Sequence, residues 1–106
     1  MEFKDLQKKA LQLREKYAQF EKKTYGKEWT REQLLQGLIV DIGELTELLM
    51  AKEGVRSVDN IDEKLRHEFA DCLWSLFVLA EKYGVDLEKS FLATTTSLES
   101  KLSSHE

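Results

Sequence analysis

Apolar residues recur along the start of the chain at alternating spacings of three and four, with lysine, glutamate and glutamine at most positions between them. The apolar positions are Phe3, Leu6, Ala10, Leu13, Tyr17 and Phe20. A single apolar stripe on an otherwise polar segment is typical of an amphipathic helix. The pattern predicts a first helix from about Glu2 to Lys23, with the aromatic and aliphatic stripe packed in the core.

A capping signal marks the start of the second helix. Thr30 is followed three residues later by Gln33, which is the spacing of a capping box. The second helix is predicted from Arg31 to about Lys52, where a polar loop follows. Its apolar arc consists of Leu35, Leu38, Ile42, Leu45 and Leu49.

Similar signals delimit two further helices. Asn60 is the expected N-cap of the third, with Glu63 at the capping-box position, and Gly84 provides the C-terminal stop after Tyr83. Asp86 can cap a fourth helix. The apolar positions of that helix are Leu87, Phe91, Leu98 and Leu102.

Composition agrees with an all-α fold in one domain that spans residues 1–106. The 106 residues include no proline and only five glycines, which favours long helices over a fold with many turns. Hydrophobic residues make up 42% and charged residues 34%, as expected of a globular rather than a disordered chain.

The charge distribution narrows the range of partners and compartments. The formal net charge is -4 and no basic stretch occurs, which argues against nucleic-acid binding. No apolar run approaches membrane-spanning length, and the N-terminus lacks the apolar core of a signal peptide. No membrane association is expected, and the cytoplasm is the predicted compartment. The single Cys72 is interpreted as a buried, unpaired side chain.

Acidic residues occur on helices that are otherwise apolar. Between Gln33 and Ala51 the only charged residues are Asp41, Glu44 and Glu47, and no lysine or arginine accompanies them. A helix that is apolar nearly all round is buried on more than one side. Carboxylates placed there need a cation or a proton, because an unpaired buried charge is very costly. Asp41 is interpreted either as an outer acid of such a site or as a solvated residue.

The third helix repeats this arrangement. Asp71 is the only charge between Phe69 and Ala80, and Glu68 lies one turn before it on the same face. Packed together, the two helices would present four carboxylates, and oxygen ligands suit Mg²⁺ or, alternatively, Mn²⁺. Mg²⁺ is usually shared with substrate phosphates. His67 precedes Glu68 and is expected at the surface.

The two carboxylate pairs resemble a known signature. Glu44-x-x-Glu47, then 20 residues, then Glu68-x-x-Asp71 is similar to the motif of the all-α nucleoside triphosphate pyrophosphohydrolases, which include MazG proteins, dimeric dUTPases, dCTP pyrophosphatases and phosphoribosyl-ATP pyrophosphohydrolase. The flanks Asp41-Ile-Gly-Glu44-Leu and Glu68-Phe-Ala-Asp71 fit as well, and the similarity covers about residues 29–91.

The resemblance implies a four-helix MazG-like protomer that assembles into a bundle as a homodimer or homotetramer. It implies Mg²⁺-dependent hydrolysis of a nucleoside triphosphate between the α and β phosphates, to a monophosphate and pyrophosphate, with non-canonical nucleotides as one class of target. The four acids of the motif, Glu44, Glu47, Glu68 and Asp71, would be the catalytic metal ligands.

Three further residues are candidates for substrate contact. Trp29 and Trp74 can stack on a base, and Trp29 occupies the region where similar proteins place an aromatic residue near the base. Lys64 is one turn before Glu68 and can meet a phosphate. The alternatives are ordinary packing for the tryptophans and a solvated lysine near a helix start.

The chain also departs from its relatives at three positions. Ser75 stands where they often have tyrosine, and Thr94 and Leu98 stand where many have a lysine and an asparagine on the fourth helix. A second class of function therefore stays open, namely a non-catalytic helical module that binds a nucleotide or a protein.

Overall fold

The computed structural model describes residues 1–105, which form four helices and no strand, so the all-α prediction is confirmed. The helices are α1 Phe3–Tyr25, α2 Arg31–Lys52, α3 Ile61–Lys82 and α4 Leu87–Ser103. A membrane-spanning segment is not found among these helices, because none combines the necessary length with sufficient apolar character.

Two of the predicted caps form. The Thr30 hydroxyl accepts from the backbone N–H of Gln33 at 3.2 Å, and the Gln33 side chain accepts from the backbone N–H of Thr30 at 2.9 Å. Asp86 accepts from the backbone N–H of Lys89 at 3.1 Å. These contacts are local in sequence, and α2 accordingly has the predicted bounds.

Asn60 occupies the predicted N-cap position of α3, but the predicted capping bonds do not form. Asn60 directly precedes α3, but its side chain makes no capping hydrogen bond, and no capping box with Glu63 forms. The backbone of Asn60 has φ 55°, in the left-handed region, whereas a capping side chain requires extended backbone. Asparagine tolerates this conformation better than most residues, which explains its place at the turn.

α2 and α3 form an antiparallel hairpin. Lys52 binds Asp62 at 2.5 Å near the connecting loop, and Glu44 lies beside Glu68 further along. Where α2 and α3 face each other, the numbers of the two opposing residues therefore add up to about the same value at both positions. The two helices thus pack in a single register along the hairpin.

α1 packs across α3 through a face that overlaps the predicted stripe only in part. The Phe3 and Phe77 rings meet edge to face at 5.3 Å between centroids, and Trp74 Nε1 donates to the Ala10 carbonyl at 2.9 Å. The buried residues of α1 are Ala10, Arg14, Ala18 and Glu21. The remaining members of the apolar stripe, Leu6, Leu13, Tyr17 and Phe20, are 42–54% exposed. The prediction that this stripe is core is therefore confirmed for Ala10, and for Phe3 through its contact with Phe77, but is wrong for the other four residues in the single chain.

The chain is extended. Its radius of gyration is 17.1 Å, whereas a compact domain of this length would have about 13 Å. α4 has no buried residue, although it carries Phe91, Leu92, Leu98 and Leu102. Large apolar areas of α2, α3 and α4 therefore face outward in the single chain.

Candidate metal and nucleotide site

The register of the α2–α3 hairpin brings acidic side chains together. One carboxylate oxygen from each of Asp41, Glu44 and Glu68 lies within 4.8 Å of the other two. Asp71 is one turn beyond Glu68 on α3 and close enough to raise the pKa of both Asp41 and Glu68. The structure thus brings together three of the four predicted ligands, Glu44, Glu68 and Asp71, and adds Asp41.

Glu68 is the most buried member of this acidic cluster, by which we mean Asp41, Glu44, Glu68 and Asp71. Its residue is 6% exposed, and its Oε1 atom is buried without a hydrogen-bond partner. Burial, followed by the nearby carboxylates, raises the pKa of Glu68 to about 7 from 4.5. A buried carboxylate oxygen with no donor is rare and costly in a folded protein, and a cation or a shared proton at this carboxyl group would remove that cost.

Asp41 and Asp71 flank the buried carboxylate. Burial and the charges of Asp71 and Glu44 raise the pKa of Asp41. Asp71 Oδ2 lies 3.2 Å from His67 Nε2, one helical turn away. His67 is largely exposed, as expected from the sequence, yet its ring also contacts the acidic cluster.

The donor set suits a hard divalent cation. All the candidate ligand atoms are carboxylate oxygens, and one of them is buried without a partner. Several carboxylates this close together cannot all be ionised unless a positive charge lies among them. In an acidic cluster that only faced solvent, water would hydrate every carboxylate oxygen, unlike the buried oxygen of Glu68.

Glu47, the fourth predicted ligand, lies outside this group. Its side chain is 62% exposed, and its Oε1 is 3.7 Å from Arg56 Nη1 in the loop between α2 and α3. Glu47 lies less than one turn from Glu44 on the same helix and lines the same cavity as Glu44 and Glu68.

One cavity beside the acidic cluster is walled by aromatic rings. This aromatic cavity, about 650 Å³, lies between α1, α2 and α3. Its lining includes Arg14, Glu21, Trp29, Asp41, Asp71 and Trp74. Trp74 is anchored by its bond to Ala10, and Tyr17 packs on it with the ring centroids 5.6 Å apart.

Trp29 is positioned from two sides. Its backbone N–H donates to Glu21 at 2.9 Å, and its ring lies over Gly37 of α2. A Cβ atom at Gly37 would be 3.1 Å from Cζ3 of the Trp29 ring, which is closer than an ordinary contact. Because Gly37 has no side chain, the Trp29 ring can lie directly against α2, where it forms one wall of the aromatic cavity.

A second cavity, of about 670 Å³, opens on the other side of the acidic cluster. We call it the basic cavity after Arg56 and Lys64. Its lining also includes four glutamates, Glu44, Glu47, Glu63 and Glu68. The tryptophans therefore line the cavity that contains Asp41 and Asp71, whereas Lys64 and Arg56 line the cavity that contains Glu44 and Glu68.

Sequence reasoning missed a buried ion pair in the aromatic cavity. Arg14 is 7% exposed and Glu21 is 6% exposed, and Arg14 Nη2 donates to Glu21 Oε1. The sequence contained one signal for this pair, because Arg14 and Glu21 are spaced so that they share a helix face with Ala10 and Ala18. Small residues such as these alanines permit another helix to approach closely.

A family model described as PRA-PH, phosphoribosyl-ATP pyrophosphohydrolase, matches residues 5–95 of the chain. That span includes the whole acidic cluster and both cavities, and the match confirms the resemblance to the all-α MazG-like superfamily. No match was found among curated proteins, and none among solved structures.

Proposed function

Because the chain belongs to the phosphoribosyl-ATP pyrophosphohydrolase family, whose members are hydrolases acting on acid anhydrides, we propose that it cleaves the α–β phosphate bond of a nucleoside triphosphate, with Mg²⁺ as cofactor. The products are a nucleoside monophosphate and pyrophosphate. Non-canonical nucleoside triphosphates belong to the proposed substrate class. The observation that carries the proposal is the buried, unpartnered oxygen of Glu68 among other carboxylates, between an aromatic and a basic cavity.

The acidic cluster would hold the metal. Glu44, Glu68 and Asp71 retain the role expected of them, and Asp41 joins them because its carboxylate is within 4.8 Å of two of these acids. Bound Mg²⁺ supplies neutralisation of the phosphate charge and lowers the pKa of a coordinated water, and Mn²⁺ can replace it.

The two cavities orient the nucleotide. The base lies in the aromatic cavity against Trp29 and Trp74, because flat apolar rings favour stacking. The β and γ phosphates lie in the basic cavity, where Arg56 and Lys64 neutralise the charge that develops on the leaving pyrophosphate. The scissile bond then lies over the acids between the two cavities.

Glu47 joins the site through Arg56. In the structure its carboxylate is held only by the 3.7 Å contact with that guanidinium, which a phosphate can bind instead. Arrival of the substrate therefore releases Glu47 to complete the carboxylate set.

A second copy of the chain covers the outward apolar surface. Ile39 and Ile42 of α2 are 59% and 48% exposed, and Phe69 of α3 is 52% exposed. Continuous exposed apolar surface of this kind marks an interaction site on a soluble protein. A homodimer or homotetramer would bury it by extending the helical bundle.

The first test is pyrophosphate release from canonical and modified nucleoside triphosphates and from phosphoribosyl-ATP, with Mg²⁺ and with EDTA. Metal-dependent release with the matching monophosphate is the expected result. Glu68→Gln should lower kcat by at least about a hundredfold, whereas Glu81→Gln, an exposed site on the same helix, should not change it. Silence of folded protein across the panel would contradict the proposal and favour a binding module.

A further inference from the structure

We propose that Glu21 is a positioning residue for the base of the nucleotide. Its carboxylate holds the backbone of Trp29, so the tryptophan ring is in place as one wall of the aromatic cavity before a nucleotide arrives. Arg14 in turn holds Glu21. This inference rests on the proposed function, and it assigns base binding to the contact between α1 and the turn that follows it.

The contact joins the end of α1 to the start of α2. Glu21 lies in the last turns of α1, and Trp29 directly precedes Thr30, the N-cap of α2. The backbone N–H of Trp29 lies outside both helices and needs an acceptor, which the Glu21 carboxylate supplies at 2.9 Å. One side chain of α1 thus determines where the turn at residues 26–29 lies.

The position of Glu21 is fixed by burial and by charge. Glu21 and Arg14 are 6% and 7% exposed, and Arg14 Nη2 donates to the same Oε1 atom that accepts from Trp29. A hydrogen bond to a charged group stabilises more than one between neutral groups. A second contact of the turn with α1 is the exposed ion pair Lys22–Glu28 at 3.5 Å, and exposed pairs stabilise little. The bond from Glu21 is therefore the stronger restraint on Trp29.

Trp29 is consequently held at two points. Its backbone is bound by Glu21, and its ring lies over Gly37 of α2. The residue is still 44% exposed, which leaves ring surface on which a base can stack. A wall that is in place before binding avoids the entropic cost of ordering a mobile turn when the ligand arrives. Loss of the bond should therefore weaken base binding, whereas the acids on α2 and α3 should keep their geometry.

Two double variants isolate the bond to Trp29. Arg14→Met with Glu21→Gln removes both charges but keeps a carbonyl oxygen that can accept from Trp29. Arg14→Met with Glu21→Met removes both charges and the acceptor, at a similar side-chain length. The two variants differ in that acceptor, and neither contains a lone buried charge. Glu21→Asp keeps the charge but is one methylene shorter, and it is compared with the wild-type chain if the Glu21→Met variant does not fold.

The first readout is the fluorescence of Trp29 in the nucleotide-free protein. The chain has two tryptophans, so adding Trp74→Phe to both double variants makes Trp29 the sole one. The variant with Glu21→Met should emit at longer wavelength than the variant with Glu21→Gln, and its anisotropy should decay faster on the nanosecond timescale. Identical emission and anisotropy in the two variants would overturn the inference.

The second readout is KM and kcat, with Trp74 kept, for each nucleotide of the panel that the wild-type chain hydrolyses. Relative to the variant with Glu21→Gln, the variant with Glu21→Met should have a KM about threefold to tenfold higher and the same kcat. Inorganic tripolyphosphate, which has no base, should inhibit both variants equally, because general damage to the site would weaken this inhibition as well. Equal KM values, or a parallel loss of inhibition by tripolyphosphate, would contradict positioning of the base by Glu21.

Calorimetry separates this inference from the proposed function. If no nucleotide is hydrolysed, the proposed function fails, but the binding of AMP, GMP, CMP and UMP can still be compared with that of ribose 5-phosphate. Tighter binding of a monophosphate than of ribose 5-phosphate, weakened in the Glu21→Met variant relative to the Glu21→Gln variant, would support the role of Glu21. Equal affinity of the wild-type chain for all these compounds would refute it.

Discussion

At the scale of single residues, the site is defined by one carboxylate that the fold makes costly to ionise. Glu68 faces other acids and has a buried oxygen with no donor, so the metal-free protein holds a proton there more tightly than the unfolded chain does. The sequence indicated this residue, because Glu68 and Asp71 stand on an otherwise apolar helix. It left the role of Asp41 undecided, because the position of a side chain relative to a second helix depends on how the two helices pack.

The raised pKa of Glu68 makes the metal-free protein sensitive to pH. Because the folded-state pKa is about 7 and the ordinary value is 4.5, ionising Glu68 opposes folding. This penalty is absent below the ordinary value, grows as the pH rises between the two values, and is complete above the folded one. Glu68→Gln should therefore raise the melting temperature in EDTA by about 5 °C or more at about pH 8, and by less at about pH 5.5.

Thermal melts monitored by circular dichroism test this prediction. Glu81→Gln, at an exposed position of α3, should have little effect at either pH. Added Mg²⁺ should stabilise the wild-type chain at the higher pH more than it stabilises Glu68→Gln. A gain that is equal at both pH values would show that ionisation of Glu68 does not oppose folding.

A substitution at Gly37 should affect the stability of the chain and its binding of substrate differently. Alanine in a helix interior is favoured over glycine by about 1 kcal/mol, but at Gly37 its Cβ would displace the Trp29 ring. Trp29 is 44% exposed and can move, so Gly37→Ala should leave stability unchanged or higher while raising KM severalfold. Gly43→Ala, with no atom near its Cβ, should stabilise α2 without changing KM. Equal KM values for the two variants would exclude Trp29 from the binding surface.

At the scale of helices, the sequence predicted where elements begin and end better than which face is buried. The start of α2 follows from Thr30 and Gln33, which contact each other within one turn. The buried face of α1 follows instead from close packing on α3, which selects Ala10 and Ala18. Hydrophobicity alone favoured the neighbouring stripe, because it cannot tell a surface packed within one chain from a surface covered by another.

The two helix starts should respond differently to mutation. Thr30→Ala removes a side chain that accepts from Gln33 and should lower the free energy of unfolding by about 1 kcal/mol. Asn60→Gly removes no capping bond and relieves a left-handed backbone, so it should change this free energy by less than about 0.5 kcal/mol or increase it. Urea denaturation measures both, and a larger loss at Asn60 would contradict the assigned geometry.

At the scale of the whole molecule, the single chain leaves much of its apolar surface uncovered. The outward residues of α2 and α3 include Leu35, Ile39, Ile42, Leu73 and Leu76, each 47–59% exposed. The sequence indicated this surface through the nearly all-round apolar character of both helices. It did not indicate which faces of these helices pack within one chain and which faces contact a second copy.

A charge placed on this surface should prevent assembly. Ile39→Glu would bury an unpaired carboxylate at the proposed interface, and the variant should elute as a monomer at concentrations where the wild-type chain is a dimer or tetramer. Ser57→Glu adds the same charge in the exposed loop between α2 and α3 and should not alter the mass. Light scattering coupled to size exclusion measures both. A monomeric wild-type chain would contradict the assembly.

The common register of α2 and α3 limits how the length of this chain can change. One residue inserted into α2 after Glu44 advances the helix by about 1.5 Å and turns it by about 100°, which would move the acids before the insertion away from Glu68 if the packing near the loop is kept. The loop at residues 53–60 lies outside this helix packing, and its one constraint is that Arg56 must still reach Glu47 and the basic cavity. Insertions and deletions should therefore be tolerated better in the loop, where Arg56 keeps its place, than within the helices.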